Sequence, residues 1–167
     1  MEPEVTIRRA TEKDQPAITA LVRSERLNPN QLHWSNFVVA VDRRGVIGAV
    51  QLRKHFDGSR ELGSLVVRKE ARRQQIASRL IEALIRGAGE RVLMITASAY
   101  AARYRRWGFQ PISPAAAPSA VRRNYWIGSL MSLTALFTRG RVRRLVILDR
   151  QANVMDDFSR ESIDACA

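Results

Sequence analysis

Cysteine is all but missing. The 167 residues hold one, Cys166, a single position from the C-terminus, so no disulfide can form within the chain. That usage agrees with a reducing compartment, and a thiol at a mobile chain end makes a poor catalytic nucleophile. Lysine is nearly as scarce, with Lys13, Lys54 and Lys69 the only three. Long apolar runs are lacking too. The longest apolar-leaning stretch, residues 126–137, falls short of the roughly 20 residues that a membrane-spanning helix needs. The N-terminus, MEPEVTIRRA, has no apolar segment of the kind a secretory signal carries. These absences predict a soluble, cytoplasmic protein with no membrane among its partners. Only two histidines occur, and no spacing of His, Cys, Asp and Glu reads as a metal site, so no metal is expected.

Arginine is what the chain has in excess. Lys and Arg total 28 against 16 acids, for a net charge of +12. The planar guanidinium fork suits phosphate oxygens, so a phosphorylated cofactor, an acidic substrate or nucleic acid would all be compatible partners. A bias toward arginine on solvated faces accounts for the charge equally well. At 46% hydrophobic and 26% charged residues, the composition is that of an ordinary globular protein, which excludes disorder for most of the chain.

Periodicity orders the elements. Residues 5–8 read as a short strand, and Thr11 with Asp14 offers a capping-box start for a helix carrying Ala17, Ile18, Leu21 and Val22. Strands are expected at 37–41, 46–52 and 61–68, joined by turns at 42–45 and 56–59, which makes an antiparallel meander. Alternation would put Glu61, Gly63, Leu65 and Val67 on one face of the third of these strands. Ile76, Ala77, Leu80, Ile81, Leu84 and Ile85 then form one broad helical stripe. A continuous apolar strand follows at 92–96, and Ser98 is expected to cap a short helix ending at Gly108. Residues 113–119 read as a loop, and 121–137 as a helix with Trp126, Leu130, Leu133 and Phe137 on one side. Trp126 is expected to face the core, although Arg122 and Arg123 beside Tyr125 and Trp126 would also suit stacking on single-stranded RNA. Residues 139–141 read as a basic turn and 145–148 as a last strand. The whole reads as one domain over 1–150, followed by an acidic, partly disordered tail over 151–167.

One passage carries chemistry. The strand at 61–67 runs through a polar loop into a helix opening at Gln75. A helix N-terminus presents unpaired N–H groups and the positive end of a dipole, so it can receive phosphate, and Arg72 and Arg73 lie beside it. An ordinary strand, loop and helix with two solvated arginines would look the same by these criteria.

The stretch from Val67 through Arg72-Arg73-Gln74-Gln75-Ile76-Ala77 to Leu80 resembles the acyl-CoA-binding motif of the GNAT superfamily of N-acyltransferases. That motif runs V-x-P-x-x-R-G-x-G-[IV]-[GA]-x-x-L. Downstream, Tyr104-Arg-Arg-Trp-Gly108-Phe109 is similar to the second signature of the same superfamily, Y-x-x-x-G-F. Lys69 stands where the first pattern has proline, and Arg73 and Gln75 stand at its two glycine positions. Glycine there lets the backbone approach a pyrophosphate closely.

The resemblance implies an α/β (α+β) fold of the GNAT type: a mixed, mostly antiparallel sheet of six or seven strands with four flanking helices. It implies an N-acetyltransferase that moves an acetyl group from acetyl-CoA to a primary amine by direct transfer in a ternary complex. The backbone of Leu65, Val66 and Val67 would hold the pantetheine arm. Arg72, Arg73, Gln74, Gln75, Ile76, Ala77 and Ser78 would cradle the pyrophosphate, with Arg103 and Tyr104 also on the cofactor. Tyr104 would protonate the departing thiolate, and Glu61 is the candidate base for the amine, with His55 and His33 as further candidates. Two other readings stay open: a degenerate fold that senses acyl-CoA or binds protein, and a basic enzyme acting on a tRNA- or ribosome-linked amine. The acceptor would be a small-molecule or protein amine, and the chain a monomer or homodimer.

Overall fold

A computed structural model describes residues 4–25, 27–28, 30–139 and 144–151, with the side chains of 133–139 outside the description. The expected basic turn after Arg139, the tail beyond residue 151 and Cys166 lie outside the described residues, as do the side chains of Leu133 and Phe137. The chain divides into two compact units, residues 1–87 and 88–167.

The first unit begins with β1 (Thr6–Arg9), followed by α1 (Gln15–Ser24). Between them lies the capping box. The Thr11 N–H and hydroxyl donate to Asp14 Oδ2 at 2.7 and 2.9 Å. Arg8 clamps the same carboxylate, donating at 2.7 and 3.0 Å. That guanidinium, opposed by partial burial and helped by the Thr11 bonds, holds the Asp14 carboxyl well below the usual carboxylate range. A lowered folded-state pKa means the stabilisation is present above the unfolded value, about 3.9, and is lost as pH falls below it. We expect Asp14→Asn to cost about 1–2 kcal/mol at neutral pH, by loss of the cap and the charge-assisted clamp. Urea denaturation at pH 7 and at pH 3 checks this, because the gap between variant and wild type should shrink in acid.

The meander follows as β2 (Phe37–Asp42), β3 (Gly45–Lys54) and β4 (Arg60–Val67). All pairings are antiparallel in the order β1-β2-β3-β4. Gly45 and Gly58 hold φ of 105° and 79° in the two turns, a left-handed region costly for other residues. Ile18 and Val22 of α1 pack with Phe37, Val39, Ala49 and Val66 to form a core cluster. On neighbouring Gly48 an added Cβ would meet Leu80 and Ile76 of α2 (Ile76–Ala88) at 3.1 and 3.2 Å. Glycine therefore lets α2 sit close against β3. Ile76, Leu80, Ile81 and Leu84 are buried, as the stripe requires, and each fully buried side chain of this size contributes about 1.5–3 kcal/mol.

The second unit holds β5 (Val92–Ala97), α3 (Ser98–Tyr104), β6 (Gln110–Ile112), α4 (Ser119–Arg139) and β7 (Leu145–Arg150). Its strands run antiparallel in the order β5-β7-β6. Leu93 and Ile147 of the strands pack with Ala117 and Val121. Arg91 forks onto Asp149 with two bonds of 2.8 Å. The described residues thus hold seven strands and four helices, the count the motifs imply.

Two expectations change here, and one element is added. Residues 110–112, to which the sequence reading gave no element, form short β6. It carries Pro111, which an edge strand tolerates because the missing N–H leaves no ladder bond unmade. Ser98 does not cap α3: Ala97 occupies the cap position, and the Ser98 N–H donates to the Arg144 carbonyl at 2.8 Å. Trp126 does not face the core but is 60% exposed. The inward face of α4 is built from Ala120 and Val121, both fully buried, with Tyr125 beside them.

Candidate functional site

Strand β4 is irregular where the motif begins. Gln51 pairs with Gly63, but the next partner of β3, Ala49, pairs with Val66. Ser64 and Leu65 therefore share the single residue Val50 across the ladder, which is a β-bulge, and Ser64 sits at φ 46°. The bulge changes the face assignment. Glu61, Gly63 and Val66 pair with Arg53, Gln51 and Ala49, so these three share a face. The regular alternation 61-63-65-67 does not hold. Bulges re-aim side chains and free backbone groups, here at the residues that precede Val67.

Beneath the bulge lies a buried polar network. Arg53 and Glu61 are 5% and 3% exposed, and Arg53 Nη1 donates to Glu61 Oε1 at 3.0 Å. His55 Nε2 lies 2.9 Å from Glu61 Oε2, its own side chain only 6% exposed. Arg53 Nε donates to Gln51 Oε1 at 3.0 Å, and Nη2 to Ser64 Oγ at 3.1 Å. Gln51 Nε2 donates to the carbonyls of Asn30 and Gln31 at 3.0 and 2.6 Å, pinning the segment after α1. A Cβ on Gly63 would fall 2.7 Å from Arg53 Cζ, so only glycine lets the guanidinium lie flat on β4. Gln51 and Arg53 alternate along β3, and His55 continues the spacing just past its end. That alternation was a legible signal, and only its His55 was named from the sequence. His33, the other histidine, caps a short 3-10 turn and bonds Ser35 Oγ at 2.8 Å.

From β4 the chain passes through a 3-10 turn, Lys69–Ala71, into the loop before α2. Arg72 folds back on the scaffold, its Nε donating to the Val67 carbonyl at 3.1 Å and Nη2 to Glu25 at 2.7 Å. Arg73 and Gln75 then adopt φ of 69° and 55°. The left-handed region costs a residue with a Cβ about 1–2 kcal/mol, so two such residues in three mark a loop whose shape is imposed. Ile76, 2% exposed, anchors the helix end beyond it. Val67, Arg72, Arg73, Gln75, Ile76 and Ala77 are brought together with Ala71 around one open groove of about 320 Å³. Gln74 turns to a neighbouring groove of about 400 Å³, which Arg43, Arg44 and Arg68 also line. Ser78 is half-buried in the first turn of α2, while Leu65 is half-buried on the bulge.

In the second unit, Tyr104 ends α3 and is half-buried. Its ring lies 5.9 Å from that of Trp107 and 6.3 Å, edge-on, from fully buried Phe109. Burial pushes the phenol pKa up, outweighing the lowering by the Arg103 charge and by a hydrogen bond with Thr96. The hydroxyl therefore keeps its proton throughout the neutral range. Arg103 is exposed, with its guanidinium 5.1 Å from the centre of the Tyr100 ring. Among the described residues, no group of three or more His, Cys, Asp or Glu side chains is placed to hold a metal ion.

Residues 33–111 match the family model described as an acetyltransferase (GNAT) domain. That stretch, just under half of the chain, is similar to a GNAT acetyltransferase domain. Solved structures of this fold agree. An N-acetylglutamate synthase from Neisseria gonorrhoeae, complexed with coenzyme A and N-acetyl-glutamate, aligns at 23% identity and a TM-score of 0.69. It covers 92% of this chain and 36% of its own. Rv2747 from Mycobacterium tuberculosis, in complex with CoA and NLQ, aligns at 21% identity and a TM-score of 0.65, over 87% of this chain and 98% of its own. The ribosomal-protein-S18-alanine N-acetyltransferase from Escherichia coli aligns at 14% identity and a TM-score of 0.60, covering 90% and 96%. The chain thus spans about a third of the length of the Neisseria synthase it matches. No curated protein matches it in sequence. The GNAT fold explains the two left-handed residues: Arg73 and Gln75 stand at the glycine positions of the acyl-CoA motif and keep a backbone conformation that glycine adopts freely.

Proposed function

We propose that this GNAT domain transfers an acetyl group from acetyl-CoA to a primary amine within a ternary complex. The observation that carries the reading is the loop before α2, where Arg73 and Gln75 hold glycine-like backbone angles in spite of their side chains. A chain with no use for the loop's shape would relax it at no loss. Successive backbone N–H groups at such a turn and helix start form a concavity for a phosphate group. We assign the pyrophosphate to the backbone from Arg72 to Ser78, and the pantetheine arm to the backbone of Leu65, Val66 and Val67 beside the bulge. Arg103 and Tyr104 complete the cofactor contacts.

The chemistry then divides among three side chains. The amine nitrogen forms a bond to the thioester carbonyl carbon as the C–S bond breaks. Glu61, backed by His55, accepts the amine proton. Tyr104, kept protonated by burial, gives its proton to the departing sulfur.

Calorimetric titration with acetyl-CoA, run on the wild type and Gln75→Gly, tests the reading. The wild type is expected to bind, and the variant to bind at least as well while gaining about 0.5–1 kcal/mol of stability from relief of the left-handed residue. Absence of binding by both proteins at high cofactor concentration would sink the proposal.

A further inference from the structure

Helix α4 carries a surface that the transfer chemistry does not use. Arg122, Arg123, Trp126, Ile127, Leu130 and Met131 fall at i, i+1, i+4, i+5, i+8 and i+9, a single stripe along the helix. All six are exposed, the four apolar ones by 60, 53, 64 and 67% in chain order. The opposite face is already committed, since Ala120 is fully buried and Val121 packs with Leu93 of β5 and Ile147 of β7. A Cβ on Gly128 would lie 3.1 Å from Leu145 Cδ1, so the helix sits close on β7 and cannot roll its outer face inward. The stripe therefore begins with two cations and continues as a large apolar ridge that the second unit does not cover.

Along the chain on either side of it the charge has one sign. From Arg91 to Leu148 the sequence holds ten arginines and no acidic residue. That composition argues about the occupant. A second copy docking the same stripe would bring arginines onto arginines with no carboxylate of α4 between them. Single-stranded nucleic acid would meet the charge and could stack one base on Trp126, but Ile127, Leu130 and Met131 beyond it offer no further ring. An anionic lipid surface satisfies both parts of the stripe: headgroups pair with Arg122 and Arg123, and the acyl boundary accepts Trp126, Ile127, Leu130 and Met131. No described helix is long and apolar enough to cross a membrane, so the contact is one of lying on the surface.

We propose that the outer face of α4 docks this protein on an anionic membrane surface. The test is flotation of the full chain with phosphatidylcholine vesicles, with and without phosphatidylglycerol, at low and high salt. The wild type is expected to float with the anionic vesicles at low salt and to be released at high salt. Arg122→Gln with Arg123→Gln should weaken partition by about fivefold per arginine. Trp126→Gln with Leu130→Gln should weaken it by about tenfold or more, while circular dichroism and the thermal midpoint stay unchanged because both side chains are exposed. Failure of the wild type to float with anionic vesicles, or flotation indifferent to the Trp126 and Leu130 changes, would overturn the proposal. So would a wild-type dimer in ultracentrifugation that the same variant dissociates without any vesicle binding, which would assign the face to a second copy. Salt-sensitive RNA binding that the variants lose, again without flotation, would assign it to nucleic acid.

Discussion

Glu61→Ala is expected to destabilise the protein by about 3–5 kcal/mol, the cost of leaving a buried charge without its partner. The charge in question is Arg53, 5% exposed and held 3.0 Å from the Glu61 carboxylate. Its remaining bonds, to Gln51, Ser64 and the Asn28 carbonyl, are to neutral oxygens and cannot replace a counter-charge. His55 would lose its Glu61 contact as well, and the Gln51 side chain that pins the segment after α1 would lose its fixed neighbour. Guanidinium denaturation measures the loss, and an unchanged slope would show that stability and not compactness had moved. A cost below about 1 kcal/mol would mean the pair is solvated, as surface pairs are, and would contradict the buried network. Glu61→Gln is the companion variant. It keeps the shape and an acceptor oxygen for Arg53 but not the counter-charge, so it should cost less stability than Glu61→Ala, and turnover measured on its folded fraction tests the proposed proton acceptance.

The second large effect is at Tyr104. Tyr104→Phe should lower turnover by about 10²–10⁴-fold, the usual contribution of a positioned general acid, while leaving acetyl-CoA affinity unchanged. Loss of the bond with Thr96 should cost only about 1 kcal/mol of stability, so the variant should remain folded. Because the phenol pKa is raised from its ordinary value near 10, deprotonation cannot limit the reaction near neutrality. The rate should fall on the alkaline side only above that value. Steady-state and single-turnover kinetics read both points, and an unchanged turnover in Tyr104→Phe would remove the assignment.

What was legible in the chain was what neighbours decide. The meander announced itself through Gly45 and Gly58 in its turns, the first helix through Thr11 and Asp14, and α2 through an unbroken 3.6-residue stripe. The bulge at Ser64 and Leu65 was not legible, because strand register is set by the partner strand and by Arg53 lying on Gly63. Period alone also misled at Trp126. Both faces of α4 are apolar, and the smaller side chains, Ala120 and Val121, won the interior because the helix approaches β7 so closely. Of the candidate site, the loop from Arg72 to Ala77 was visible through its resemblance, and His55 was named singly. Its partner Arg53 was missed, since a charged residue in a strand reads as solvated until a buried acid is found opposite.

The left-handed pair before α2 has a consequence for how such loops are recognised. A pattern that demands glycine at positions 73 and 75 rejects this chain, although its backbone traces the path that glycine is there to permit. The motif here is spelled in dihedral angles, with Ile76, Gly48 and the tethered Arg72 enforcing what the missing glycines would have allowed. Relatives that have dropped those glycines are therefore better sought by the shape of this turn than by its letters.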